Sequence, residues 1–337
     1  MSKKITEFLL IKNYFSKLTD GFSGALNLLD DCGYIKGKNN NDYVVTLDTI
    51  CEGVHFPKNF PPEYIANRLI VPNLSDLASS GARPLYFLMT GNITQKQNAE
   101  WYKNFTKQIA KLQKKYGFSL LGGDTVKTKN DDIFLSATFI GEVKSGRQLT
   151  RLAAKAGNDI YVSGKIGGGY LGLQAALTSN PLPMGEDVLV SENFFELNKT
   201  GEGNTNYLKY YTTPTPRLKL GGELASIATS CTDISDGLVK DLGNICSASK
   251  LSAVIYKGKI PLMIKDKLFA EQITGGDDYE LIFTAPKDRE LIIKVISMKT
   301  KTRITKIGEM VNGKKNDVKI LDKNLKEIKL KYKGWEH

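Results

Sequence analysis

The sequence predicts a two-domain α/β protein, and three observations carry that expectation. The chain has 337 residues, more than one ordinary core serves. Short runs of β-forming residues alternate along it with stretches of helical apolar spacing. A basic, polar stretch at 144–159, KSGRQLTRLAAKAGND, reads as a linker, so the domains are placed at 1–146 and 147–337.

In the first half, residues 4–18 read as a helix. Leu29-Asp30-Asp31-Cys32-Gly33 is a polar turn whose adjacent acids repel unless solvated or metal-bound. Tyr43 to Ile50 alternates as a half-buried strand, with Asp48 inside it, where a bare carboxylate is costly. Glu52-Gly53 then turns the chain, and His55, one of 2 histidines, follows. That order fits the rim of a metal and phosphate site; an Asp at a sheet edge and a loop histidine fit it as well. Pro62 to Ser80 places Ile65, Leu69, Leu74, Leu77 and Ala78 at helical spacing, and Pro72 predicts a kink before Asn73. Asn73 and Asp76 share a face that their apolar neighbours draw inward. Trp101, Phe105, Ile109, Leu112 and Tyr116 mark an amphipathic core helix. Phe118 to Leu121 reads as a short buried strand running into Gly122-Gly123-Asp124-Thr125, either a ligand-approaching turn or a plain one. Strand Ile133 to Val143 closes the half.

The second half opens with strand Ile160 to Ser163, a glycine-rich loop over 164–169, and helix 170–178. The loop lacks Gly-Lys-Ser/Thr at the helix start, so it is read as a permissive turn with at most a phosphate contact. Residues 180–213 read as an irregular loop or insertion. Helix 217–228 follows, then Thr232-Asp233-Ile234-Ser235-Asp236-Gly237, read either as helix N-caps or as a magnesium–phosphate contact ahead of helix 238–249. Ile273 to Phe283 is a turn with acids leading into a strand. Strands near 302–309 and 317–321 complete the domain, and Trp335 near the end is either packing or a stacking lid.

Composition narrows the function. Hydrophobic content is 41%, ordinary for a globular chain. The apolar run Phe8 to Ile11 is far short of a membrane span and has no signal-peptide flanks. The 4 cysteines lack CxxC spacing, which argues against a zinc knuckle or disulfide framework and for reduced thiols in the cytoplasm. A net charge of +11 invites a nucleic-acid reading, but the basic residues are mostly scattered Lys, a pattern that suits a solvated surface or attraction of small anions. Asp recurs at turns and element ends: Asp31, Asp48, Asp76, Asp124, Asp233/Asp236 and Asp277/Asp278. If these converge, two unit charges 4 Å apart cost about 4 kcal/mol at an effective dielectric of about 20. Hard cations remove that cost, and all-oxygen ligands suit Mg²⁺. The chemistry expected is phosphoryl transfer. No Walker motif and no HRD–DFG pair is present, so P-loop and protein-kinase routes are unsupported.

The stretches VVTLDTICEGVHF, PNLSDLASSGARP, LLGGDTV, TDISDGL, TGGDDYELIFT and GWEH resemble, in order and spacing, those of the bacterial thiamine-monophosphate kinase family, within the superfamily of aminoimidazole ribonucleotide synthetase and selenophosphate synthetase. The resemblance runs from Asp30 to His337. It implies a two-domain synthetase-like fold, a homodimer joined through its amino-terminal sheets, and transfer of the ATP γ-phosphate to thiamine monophosphate. Carried over by position, Asp31, Thr46, Leu47 (through its carbonyl), Asp48, Asp76, Asp124, Asp233 and Asp236 would hold several Mg²⁺ ions. Gly123, Asp124, Arg151 and Ser235 would contact ATP, and His55, Asp277 and Trp335 thiamine monophosphate. No general base is implied. Departures are Leu29 for a glycine, Leu47 for a threonine, Asp277 for a glutamate and the missing phenylalanine of a GWxHF ending; Thr106, near a usual tyrosine, receives no role. The alternatives are another ATP-dependent synthetase of the superfamily and a basic nucleic-acid-binding protein on the same fold. Against the selenophosphate branch, residues 1–31 contain no cysteine.

Overall fold

A computed structural model describes residues 7–129, 131–179, 207–265, 267–313 and 317–335. The described residues begin with a short α-helix α1 (Glu7–Leu10) followed by a π-helical and a 3-10 segment through Thr19, so the stretch is helical as expected from residue 7 onward but not one regular helix.

The first half forms a five-stranded sheet of order β1-β2-β5-β3-β4: β1 (Gly33–Lys36), β2 (Asn41–Cys51), β3 (Arg83–Ile93), β4 (Ser119–Lys127) and β5 (Phe134–Lys144). Only β3 and β4 run parallel. Helix α2 (Pro62–Ser79) begins on a proline, whose missing N–H costs nothing at that position. It runs through Pro72 without ending there. Helix α3 (Ala99–Tyr116) is capped by Asn98, which accepts from the Trp101 amide, and stops at Gly117 with φ +74°. The buried faces of both helices cover one side of the sheet, packing Leu69, Leu74, Phe105 and Ile109 against Val44, Phe87, Phe118 and Phe139.

The opposite side of this sheet is open, with Tyr43, Leu47, Tyr86 and Leu88 exposed. Here the structure corrects the sequence reading of β4. The strand does not stop at Leu121; it continues through Gly122, Gly123 and Asp124 to Lys127, so no turn forms there. Nor is it buried, since it is the sheet's edge and Leu120, Leu121 and Val126 are exposed. An apolar run cannot by itself distinguish a buried strand from one awaiting a partner.

The second half forms a seven-stranded mixed sheet that includes β8 (Ser252–Tyr256), β10 (Ile304–Val311), β11 (Val318–Leu321) and β12 (Glu327–Ile328), in the order β12-β11-β8-β10-β6-β9-β7. Neighbouring strands β6 (Asp159–Ser163) and β9 (Leu281–Ala285), interior to the sheet, are apolar along most of their length because both faces are covered. Ile160, Val162 and Ile282 point into one core; Tyr161, Leu281 and Phe283 point into the other. Helix α4 (Gly168–Ser179) follows the glycine loop. Residues 180–206 of the expected loop lie outside the described residues. The remainder is not irregular, because Leu208–Thr212 forms a helix, α5. β7 (Ser230–Asp233) ends at the acidic turn that precedes helix α6 (Leu238–Ser249). Among the described residues no helix is long and apolar enough to cross a membrane.

Candidate active site

A cavity of about 530 Å³ lies between the two halves. Asp48 enters it from β2, Asp76 from α2, Asp31 from the turn before β1, and Asp233 from the end of β7. Asp31, Asp76 and Asp233 bring one carboxylate oxygen each to within 4.8 Å of the others. Burial, then repulsion from Asp31 and Asp236, pushes Asp48 up to about 7. Burial, then repulsion from Asp31, pushes Asp233 up to about 8, and burial with Asp48, Asp233 and Asp31 holds Asp76 well above the carboxylate range.

Neutral donors partly relieve this crowding. The Thr46 hydroxyl donates to Asp76 Oδ2 at 2.6 Å, and Ser75, across the domain boundary, donates to Asp233 Oδ2 at 2.6 Å. Asp48 Oδ2 and Asp233 Oδ1 are buried with no hydrogen-bond partner among the described residues. Native proteins rarely leave such atoms unsatisfied. Arg151 forms an ion pair with Asp31, and its Nε donates to Thr232 at 3.1 Å. The nearby Cys32 thiol is fully buried, and burial beside Asp76 keeps it protonated, so it offers no thiolate. The donor set is therefore hard oxygen with orphaned lone pairs, which fits a magnesium-type cation.

Asp124 does not join this group. Asp48 stands in register with Ala137, Met89 and Gly123, whereas Asp124 stands in register with Thr90, Ser136 and Thr49. Side chains alternate along strands, so Asp124 points to the open side of the sheet, three strand spacings or roughly 14 Å across from β2. Gly123 is equally remote from the cavity. A Cβ there would lie 1.8 Å from the Met89 carbonyl oxygen, so strand packing alone demands glycine. The Leu47 side chain also sits on the open side, 60% exposed, although the residue borders the cavity.

His55, Asp277 and Trp335 do converge on the cavity. His55 Nδ1 accepts from the Cys51 amide at 3.0 Å, and its carbonyl accepts from the Tyr211 hydroxyl at 2.9 Å. Asp277 has φ +59°, and its amide donates to the Ser235 carbonyl at 2.7 Å. Its Oδ1 accepts from Arg68 Nη2 and from the Tyr279 hydroxyl, both at 2.8 Å. The Trp335 amide donates to the Asp236 carbonyl at 3.0 Å, while the Asp236 carboxylate is paired with Lys240 at 2.8 Å.

The acidic turn is not self-capped, as one reading of Asp233 and Ser235 allowed. Gly237 is the N-cap of α6 and has no side chain to do so. Instead Asp241, in the first turn of α6, accepts the amides of Ser235, Asp236 and Gly237 on one oxygen at 3.0–3.1 Å. Sequence reasoning passed over Asp241, as it did Arg68, Tyr211 and Ser75. An acid in a helix's first turn was the available signal for Asp241. The glycine loop is likewise occupied internally: the amides of Gly167 and Gly169 donate to the buried Asp278 carboxylate at 2.9–3.0 Å. Burial lifts Asp278 to about 7. Glu52 serves structure as well, accepting from the Asn59 and Ile133 amides and pairing with Lys96.

Comparison with known proteins identifies the family of the chain. The AIR synthase related protein N-terminal domain matches residues 29–143, and the corresponding C-terminal domain matches 155–321. Thiamine-monophosphate kinase of Haemophilus influenzae is 32% identical over 92% of this chain and 90% of its own. That of Buchnera aphidicola subsp. Schizaphis graminum is 33% identical over 98% of each chain. The solved structure of AaThiL complexed with AMPPCP and TMP superposes with a TM-score of 0.78 at 25% identity, covering 100% of this chain and 98% of that one.

Proposed function

The chain belongs to the AIR synthase related family through both of its domains, and to the thiamine-monophosphate kinases within it, and from that premise we infer that it transfers the terminal phosphoryl group of ATP to thiamine monophosphate, giving thiamine diphosphate and ADP. The observation that carries this reading is the meeting of Asp31, Asp76 and Asp233, from both halves of the chain, in one cavity. Purified protein incubated with ATP, magnesium and thiamine monophosphate tests it. Phosphate transfer to another acceptor, with thiamine monophosphate inert, would reject it.

We divide the labour at 146/147: the first domain supplies Asp31, Thr46, Asp48 and Asp76, and the second supplies Asp233, Ser235 and Asp236 to the metal and ATP. Magnesium bound there would supply the positive charge that lets one phosphorylated ligand approach another. Arg151, already on Asp31, would offset charge beside the ATP phosphates. The acceptor is a phosphate monoester with a second pKa near ~6, so it is largely dianionic at neutral pH and needs no base. Direct in-line attack follows, without a phosphoenzyme.

His55, Asp277 and Trp335 would receive thiamine monophosphate. Trp335→Ala is expected to raise the KM for thiamine monophosphate roughly tenfold with the KM for ATP within about twofold, because a ring at the acceptor group adds uniform binding there alone. Equal losses for both substrates in steady-state kinetics would remove the lid role.

The open side of the first sheet and the bare edge of β4 would close a homodimer. An unpaired apolar edge is otherwise a template for aggregation. Asp124, with Gly123 beside it on β4, would then meet a metal or ATP only in the assembled dimer. Leu121→Arg is expected to give monomers by sedimentation equilibrium; an unchanged assembly, or a wild-type monomer, would overturn this. All 4 cysteines are free, which suits the cytoplasm, where cell fractionation should find the protein.

A further inference from the structure

Arg68 is the feature of the cavity that neither the motifs nor the metal chemistry accounts for. It projects from α2, its side chain is 5% exposed, and it forms an ion pair across the domain boundary with Asp277 at 2.8 Å. Its guanidinium lies 4.3 Å from the centroid of the Tyr211 ring. Tyr211 in turn donates to the His55 carbonyl at 2.9 Å. One buried cation thus touches, directly or through one ring, both residues of the acceptor group that come from opposite halves of the chain.

Two details argue against a purely structural arginine. Only Nη2 has a hydrogen-bond partner; Nε and Nη1 are buried with none among the described residues. A structural arginine gains by using its whole fork, and buried donors left empty are costly. Moreover, Asp277 sits in the left-handed region at φ +59°, a conformation that persists only where neighbours over-determine it. Arg68, the Tyr279 hydroxyl and the Ser235 carbonyl are those neighbours. Among the described residues both side-chain bonds to Asp277 fall on Oδ1, which leaves Oδ2 for a ligand.

We propose that Arg68 is the positioning residue of the acceptor half of the cavity, fixing Asp277 directly and His55 through Tyr211 so that thiamine monophosphate meets a preset pair of contacts. This rests on the kinase reading above. The long guanidinium arm reaches across from α2 to hold Asp277. Burial alone would lower the Arg68 pKa, yet Asp277 raises it beyond that of a free guanidinium, so the brace stays charged at any working pH.

Steady-state kinetics on the full chain with ATP and magnesium test the assignment. Arg68→Met is expected to raise the KM for thiamine monophosphate about tenfold, with the KM for ATP within about twofold, since only acceptor binding is misaligned. Arg68→Lys, which keeps the charge against Asp277, should recover most of the loss. Combined with Asp277→Asn, Arg68→Met should cost no more than the worse single variant, because the two act as one unit. Equal rises in both KM values, no rise in either, or additive losses in the double variant would overturn the proposal. Should Arg68→Met fail to fold, Arg68→Gln, which also removes the charge facing Asp277, completes the same cycle with Asp277→Asn. A wild-type protein inert toward thiamine monophosphate would instead overturn the kinase reading itself.

Discussion

Asp48→Asn is expected to lower turnover by about a thousandfold while leaving the metal-free protein at least as stable as the wild type. The two effects have one cause. Asp48 Oδ2 is buried without a partner, and burial with Asp31 and Asp236 nearby raises the carboxyl to about 7. In the absence of a cation its charge works against the fold, at a cost of about 4 kcal/mol for a like charge 4 Å away at an effective dielectric of about 20. The amide keeps the shape and removes the charge, so stability holds or rises while the site loses a cation ligand. Turnover with ATP and thiamine monophosphate, and thermal midpoints without magnesium, measure both halves. Wild-type turnover would remove Asp48 from the site, and a sharply lowered midpoint would make it a structural acid.

Magnesium should stabilise the protein far more in mild alkali than in mild acid. Asp48 at about 7 and Asp233 at about 8 lie above the ordinary carboxylate value, so between about pH 4 and 8 the folded state binds more protons than the unfolded one. The metal-free fold therefore gains stability as pH falls from about 8 toward 4 through these groups, and carries the full repulsion above about 8. A cation bound at the site cancels the repulsion where it is greatest. In calorimetric scans at about pH 6 and pH 8.5, the metal-free midpoint should be higher at the lower pH and the magnesium shift larger at the higher one. Equal magnesium shifts, or a metal-free protein that strengthens with rising pH, would mean that these acids do not form a cation site.

Much of this was legible in the chain, and the failures have physical reasons. Asp48 stood out because a charged residue broke a strand's apolar alternation, and Asp76 because helical spacing turned it inward. Their meeting with Asp233 could be expected only through the ordered motifs, since no local rule brings a β7 residue to α2. β4 was misread because its apolar side chains face an opening rather than a core. Asp124 followed that error, as an acid assigned to a strand end proved to lie within a strand, on its far side. Arg68 and Tyr211 left no mark in sequence: one is a lone arginine within an apolar helix, the other a tyrosine in a stretch taken for loop, and their pairing is made entirely by tertiary packing.

Three of the four central acids belong to one lobe and the fourth, Asp233, to the other. The width of the gap between lobes and the strength with which a cation is gripped are therefore a single quantity. A substitution that pried the lobes apart, however distant, would weaken the grip on such a cation without touching a ligand.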